Sequence, residues 1–151
     1  MLFRSFLPDD WSKNTGVARL DATGNAAATV ECRTLDDFGD DSGITSPALM
    51  KIDVEGHELA VLRGAPRTLA QLRDVVFEDF GAYPTPAMAL LEEAGFQIFA
   101  LHRTLFRPIL VSADRRGMPR DADPNYLATR DPERVRRRFV PAGWRVLRRL
   151  P

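Results

Sequence analysis

Asp53, Glu55, His57 and Glu58 fall within six residues, in the run Asp53-Val54-Glu55-Gly56-His57-Glu58. Three carboxylates and an imidazole at this density suit proton abstraction, cation binding or metal binding. Like charges this close raise one another's pKa unless a cation or a donor relieves them. Groups shifted in that way are the ones that do acid–base work. Each residue also has a plainer explanation. A carboxylate just before a helix satisfies its free N–H groups and suits its dipole, and Glu55 could do only that. A single histidine is often a boundary residue. The spacing is not an i, i+4 His pair, and no second His or Cys lies close in sequence, so no metal site is expected.

Such a cluster needs elements that hold it at a reachable place. Residues 48–54 are short and mostly apolar, as in strands buried on both faces of a parallel sheet. Gly56 permits a sharp turn. Leu59, Val61, Leu62 and Ala65 then give helical spacing, with Gly64 near the end. A second short helix opens at Pro66 and buries Leu69 and Leu72. Residues 75–78 form the next strand. Thr85-Pro86 starts a helix, Thr85 as N-cap and Pro86 in the first turn. Met88, Leu90, Leu91 and Ala94 give it a buried stripe, and Gly95 ends it. Residues 96–101 are a further strand. Strand–helix alternation from 48 to 101 argues for right-handed βαβ units and a parallel sheet. In such sheets ligands bind outside the carboxyl ends of the strands, which is where the acidic cluster falls.

The flanks are less regular. Residues 12–25 are rich in turn formers. Residues 26–33 alternate as a half-buried strand does, with Ala28, Val30 and Cys32 on one face. The run Thr34-Leu35-Asp36-Asp37-Phe38 leads into a polar loop reaching Pro47. Beyond 101, residues 105–111 suit a strand, 114–124 a loop, and 125–129 a final strand at a sheet edge. Asp131-Pro132-Glu133 opens a helix that buries Val135 and Phe139, and Pro141 and Gly143 stop it.

The chain has 151 residues and 44% hydrophobic residues, enough for one domain with a real core. Net charge is zero but uneven. Residues 1–100 hold 8 basic and 16 acidic side chains, and residues 101–151 hold 13 and 5. Attraction between the two parts is the simplest account of that asymmetry. Arg134, Arg136, Arg137 and Arg138 fit a solvated helix face better than a nucleic-acid patch. Cys32 is the single cysteine, so no internal disulfide forms and a reducing, cytoplasmic setting is expected. The apolar start is interrupted by Arg4, Pro8, Asp9 and Asp10, unlike a signal peptide or a membrane span.

Thr34-Leu35-Asp36-Asp37-Phe38, followed by Lys51-Ile52-Asp53-Val54-Glu55-Gly56-His57-Glu58 and Val61-Leu62-Arg63-Gly64-Ala65, then a strand ending in Glu78, resembles the FkbM family of methyltransferases. The resemblance covers roughly residues 14 to 130. It implies an S-adenosylmethionine-dependent O-methyltransferase with a Rossmann-like class I fold, acting on a hydroxyl of a small metabolite or a glycan. It implies Glu55, His57 and Glu58 as catalytic candidates and Asp36, Asp37 and Asp53 on the cofactor side. The family's first strands and glycine-rich cofactor loop find no counterpart before residue 26. The expectation is therefore one partial domain over 1–151, with a core at 26–130 and a basic helix and tail at 131–151. Its sheet is expected to be mostly parallel and to lack the first strands. The strand at 48–54 then keeps an open edge that another chain could complete. The alternative to an enzyme is a non-catalytic fragment or interaction module using that edge.

Overall fold

A computed structural model describes residues 2–6, 19–21, 28–103, 108–114 and 124–139. Strand β1 (Leu2–Phe6) pairs antiparallel with both β2 (Arg19–Asp21) and β3 (Ala28–Glu31), in the order β2-β1-β3. The strand expected at 26–33 is thus present as β3, but two further strands lie where only turns and an interrupted apolar start were read.

Among the described residues the second sheet has five strands: β4 (Leu49–Ile52), β5 (Asp74–Glu78), β6 (Gln97–Arg103), β7 (Pro108–Ser112) and β8 (Asn125–Thr129). Their order is β4-β5-β8-β6-β7. Among these described strands only the β4–β5 pair is parallel, so the expectation of a mostly parallel sheet is corrected. The reason is β8. It is not an edge strand but runs antiparallel between β5 and β6, to which it is bonded on both sides. Strands β4, β5 and β6 therefore share one direction, while β7 and β8 run the other way.

Among the described residues β4 has no partner on its outer side. Its burial alternates, with Leu49 and Lys51 exposed and Ile52 buried, so it is not covered on both faces as expected. Leu49 remains 59% exposed.

Among the described residues five helices accompany the sheets: α1 (Leu35–Ser42), α2 (Glu58–Arg63), α3 (Pro66–Gln71), α4 (Pro86–Glu93) and α5 (Pro132–Phe139). Leu62, Leu69, Leu72, Val75, Phe77, Met88, Leu91, Ile98 and Ala128 form the core between α2–α4 and the sheet. Phe77 and Tyr126 are register partners on β5 and β8, and their rings stack with centroids 5.4 Å apart. No helix among the described residues is long and apolar enough to cross a membrane.

The local start signals act as their chemistry predicts. Thr85 Oγ1 accepts from the Met88 N–H at 3.2 Å, and Asp131 Oδ1 accepts from the Arg134 N–H at 3.0 Å. Gly95 takes φ +88°, the left-handed conformation that ends a helix. On α5, Val135 is buried and Arg136 to Arg138 are exposed. The Arg136 guanidinium lies 5.3 Å from the centre of the Phe99 ring, close enough for cation–π attraction. The stops expected at Pro141 and Gly143 lie outside the described residues.

Candidate functional site

The acidic cluster sits where β4 and β5 end side by side. Ile52 pairs with Phe77, so the next residues, Asp53 and Glu78, emerge together. Carboxylate oxygens of Asp53, Glu55 and Glu78 all lie within 4.8 Å of one another. The chain reverses at Glu55 (φ +50°) and Gly56 (φ +92°). A non-glycine residue in this region is strained unless its surroundings hold it, and such strain collects at functional turns. Here Glu58 closes the turn: its Oε1 accepts from the Gly56 N–H at 3.1 Å.

Charge in the cluster is unevenly shared. Lys51 Nζ lies 2.8 Å from Asp53 Oδ2. That hydrogen bond and the ammonium charge hold the Asp53 carboxyl below its ordinary range, helped by a hydrogen bond with Glu78. Glu78 is pushed the other way, by burial first, then by the charges of Asp53 and Glu55. Of these two carboxyls, Glu78 is therefore the one that holds a proton to higher pH.

A carboxyl whose pKa is raised on folding stabilises the fold below its unfolded pKa and loses that contribution as pH climbs through the folded value. Glu78→Gln should therefore raise the thermal midpoint at pH 7, where Glu78 is crowded by like charge. The gain should vanish in acid, where the parent side chain is itself neutral. Melting curves of both proteins across pH 3–8 check this, and a gain that persists in acid would refute it.

Beside the cluster lies a cleft of about 710 Å³ lined by Glu55, Gly56, Glu58, Leu59, Asp79, Phe80, Gly81, Thr85, Pro86 and Ala87. Of the residues singled out in the sequence, Glu55 and Glu58 line it. Glu58 is buried and engaged with the Gly56 N–H. His57 is half-buried at the N-cap of α2 and makes no side-chain capping bond there. Asp53 belongs to the carboxylate cluster.

Asp36 and Asp37 lie elsewhere. They are in the first turn of α1, not in a loop, with Thr34 Oγ1 accepting from the Asp37 N–H at 3.1 Å. Asp37 is exposed, whereas Asp36 is buried and faces α3. The Asp36 carboxylate accepts from the N–H groups of Arg67 and Thr68, both at 2.9 Å, and from Thr68 Oγ1 at 2.7 Å. Burial raises the Asp36 pKa, but these bonds and the Arg67 charge outweigh it and leave the net shift downward. Asp36 thus satisfies the start of α3 and lines a separate groove of about 230 Å³ with Phe38, Ile44 and Leu49.

Glu78, Asp79 and Phe80 were not singled out as site residues from the sequence. Only the β4–β5 register brings Glu78 to Asp53, and that pairing is not a local signal. The cluster's donors are hard oxygens of the kind that hold Mg²⁺ or Ca²⁺. The expectation of no metal rested on missing His and Cys ligands, an argument that does not address carboxylates.

The family model of the methyltransferase FkbM domain matches residues 3–98. It starts earlier than the resemblance did, inside β1, takes in β2 and β3, and ends within β6. No curated protein and no solved structure matches the chain. The match spans the acidic turn, both strands that present it and the loop bearing Phe80, and the chain belongs to the FkbM methyltransferase family.

Proposed function

We propose that this chain transfers a methyl group from S-adenosylmethionine to a hydroxyl of a small metabolite or glycan, in the cleft beside Glu55. The observation that carries the reading is the carboxylate cluster at the paired ends of β4 and β5. Strands β4, β5 and β6 share one direction and have helices between them, which supports a Rossmann-like arrangement of this half of the domain. Ligands of such sheets sit at the carboxyl ends of the strands.

The residues present fit a cationic donor. Asp53, Glu55 and Glu78 crowd negative charge at one point, with Lys51 the cation paired to it. Burial lifts the Glu78 pKa most, and the charges of Asp53 and Glu55 add to it; a positive group there would relieve that repulsion. Asp53 and Glu78 would hold it on that side. S-adenosylmethionine supplies an electrophilic methyl on a sulfonium.

The protein's own part is to align the hydroxyl and take its proton. Glu55 is the best-placed base: it lines the cleft, whereas the Glu58 carboxylate already accepts from the Gly56 N–H. His57 acts through its place in the turn. Asp36 serves α3 and is a positioning residue, not a cofactor contact.

Isothermal calorimetry with S-adenosylmethionine tests the reading. Binding is expected, and it should weaken when Asp53→Asn or Glu78→Gln removes charge from the cluster. No heat at any concentration up to the millimolar range would refute it.

A second reading has its own observation. The outer side of β4 is unpaired among the described residues and Leu49 stands exposed on it. A strand from another chain could extend the sheet there, making this chain an interaction module.

A further inference from the structure

Phe80 is 75% exposed, the most exposed large apolar side chain among the described residues. Exposure of one aromatic ring usually needs no explanation, but this one stands on a loop fixed from several directions. The Asp79 N–H donates to the Pro124 carbonyl at 2.9 Å. Asp79 Oδ1 accepts from the Gly81 N–H at 2.8 Å, and Oδ2 accepts from Thr85 Oγ1 at 2.6 Å. Thr85 in turn caps α4. Tyr83 Oη donates to Glu92 Oε1 on α4 at 2.6 Å. Gly81 is required by close approach, because a Cβ there would lie 2.5 Å from Thr85 Cγ2. The loop is thus held in one conformation that keeps an apolar ring at the cleft instead of in the core.

Facing groups narrow what the ring could meet. The side chains lining the cleft include the carboxylates of Glu55, Glu58 and Asp79 and no Lys or Arg among the described residues. An anionic ligand meets only like charge there. A ligand with an apolar face and hydroxyls at its edge meets both a ring and hydrogen-bond acceptors.

We infer that Phe80 is the acceptor-selecting residue, a platform on which an uncharged hydroxylated ring lies by its C–H face while its edge turns toward Glu55. The inference deepens the methyl-transfer reading and relies on it for the cleft being the acceptor site. Phosphorylated and carboxylated acceptors are rejected by the cleft's own charge, and open-chain polyols lack the flat face.

Saturation-transfer NMR on the full chain tests this without the donor. The probes are methyl α-glucopyranoside, methyl α-rhamnopyranoside and myo-inositol as neutral rings, glucose 6-phosphate as the anionic counterpart, and sorbitol as the open chain. At least one neutral ring should take up saturation at its C–H protons, and the other two classes should not. Losing the buried ring face in Phe80→Ala should weaken that binding roughly tenfold, while Phe80→Tyr should retain it. The inference is overturned if no neutral ring binds, if glucose 6-phosphate binds as well as the neutral rings, or if Phe80→Ala leaves affinity unchanged. Donor binding is measured separately. Ring binding through Phe80 in a chain that binds no S-adenosylmethionine would remove the methyl-transfer reading and leave Phe80 as the ring platform.

Discussion

Arg134→Met should lower the unfolding free energy by about 3 kcal/mol, the cost of leaving a buried carboxylate without its cationic partner. The carboxylate is that of Asp74, only 8% exposed at the start of β5. One guanidinium nitrogen of Arg134 lies 2.6 Å from each of its oxygens. Thr129 Oγ1 donates to Oδ1 at 2.7 Å. One carboxylate therefore joins β5, β8 and α5, and removing Arg134 leaves it with Thr129 and the more distant Arg73, whose Nε is 3.6 Å away. Methionine retains the aliphatic stem, so the loss is mostly electrostatic. Urea unfolding of the parent and the variant measures it. Pairing Arg134→Met with Asp74→Asn should recover much of the loss, because the stranded charge goes with its partner. A single variant as stable as the parent would show that the pair adds nothing.

Glu55→Gln should reduce methyl transfer by about a hundredfold or more while leaving the thermal midpoint nearly unchanged, the range expected for losing a general base. The amide keeps the shape of the side chain and the turn at φ +50°, so a fall in rate would report the lost proton acceptor. Glu58→Gln provides the contrast. Its oxygen holds the Gly56 N–H, and an amide oxygen can still do so, so turnover should fall far less. Single-turnover assays with a labelled methyl donor separate the two. Equal losses in both variants would shift the base away from Glu55, and full activity in Glu55→Gln would remove it from the chemistry.

Features whose chemistry is local were legible in the sequence. Thr85-Pro86 and Asp131-Pro132 mark helix starts because a side-chain oxygen reaches an N–H three residues on, and both do so. The acidic turn after residue 52 was visible for the same reason: Gly56 permits the reversal and the preceding strand ends in charge. Helix α1 is hidden in the sequence because Leu35 and Phe38 are its two large apolar side chains, and its four Asp, Gly39 and Ser42 are weak helix formers. What engages it with the fold is Asp36 reaching Arg67 and Thr68, more than thirty residues away. Strand β8 was read as an edge because alternation and length identify a strand without saying which neighbours it joins. Glu78 and Phe80 escaped for a related reason, since the site is assembled from the ends of two strands and no single run of sequence contains it.

The insertion of β8 between β5 and β6 has a consequence during synthesis. Until residues 125–129 leave the ribosome, β5 and β6 have no strand to join them, and each presents a bare ladder of peptide groups beside apolar side chains. Closure depends on contacts between distant parts of the chain, which form slowly. A polypeptide halted before residue 125 would therefore display two sticky edges at once, making it a client for chaperones or proteases.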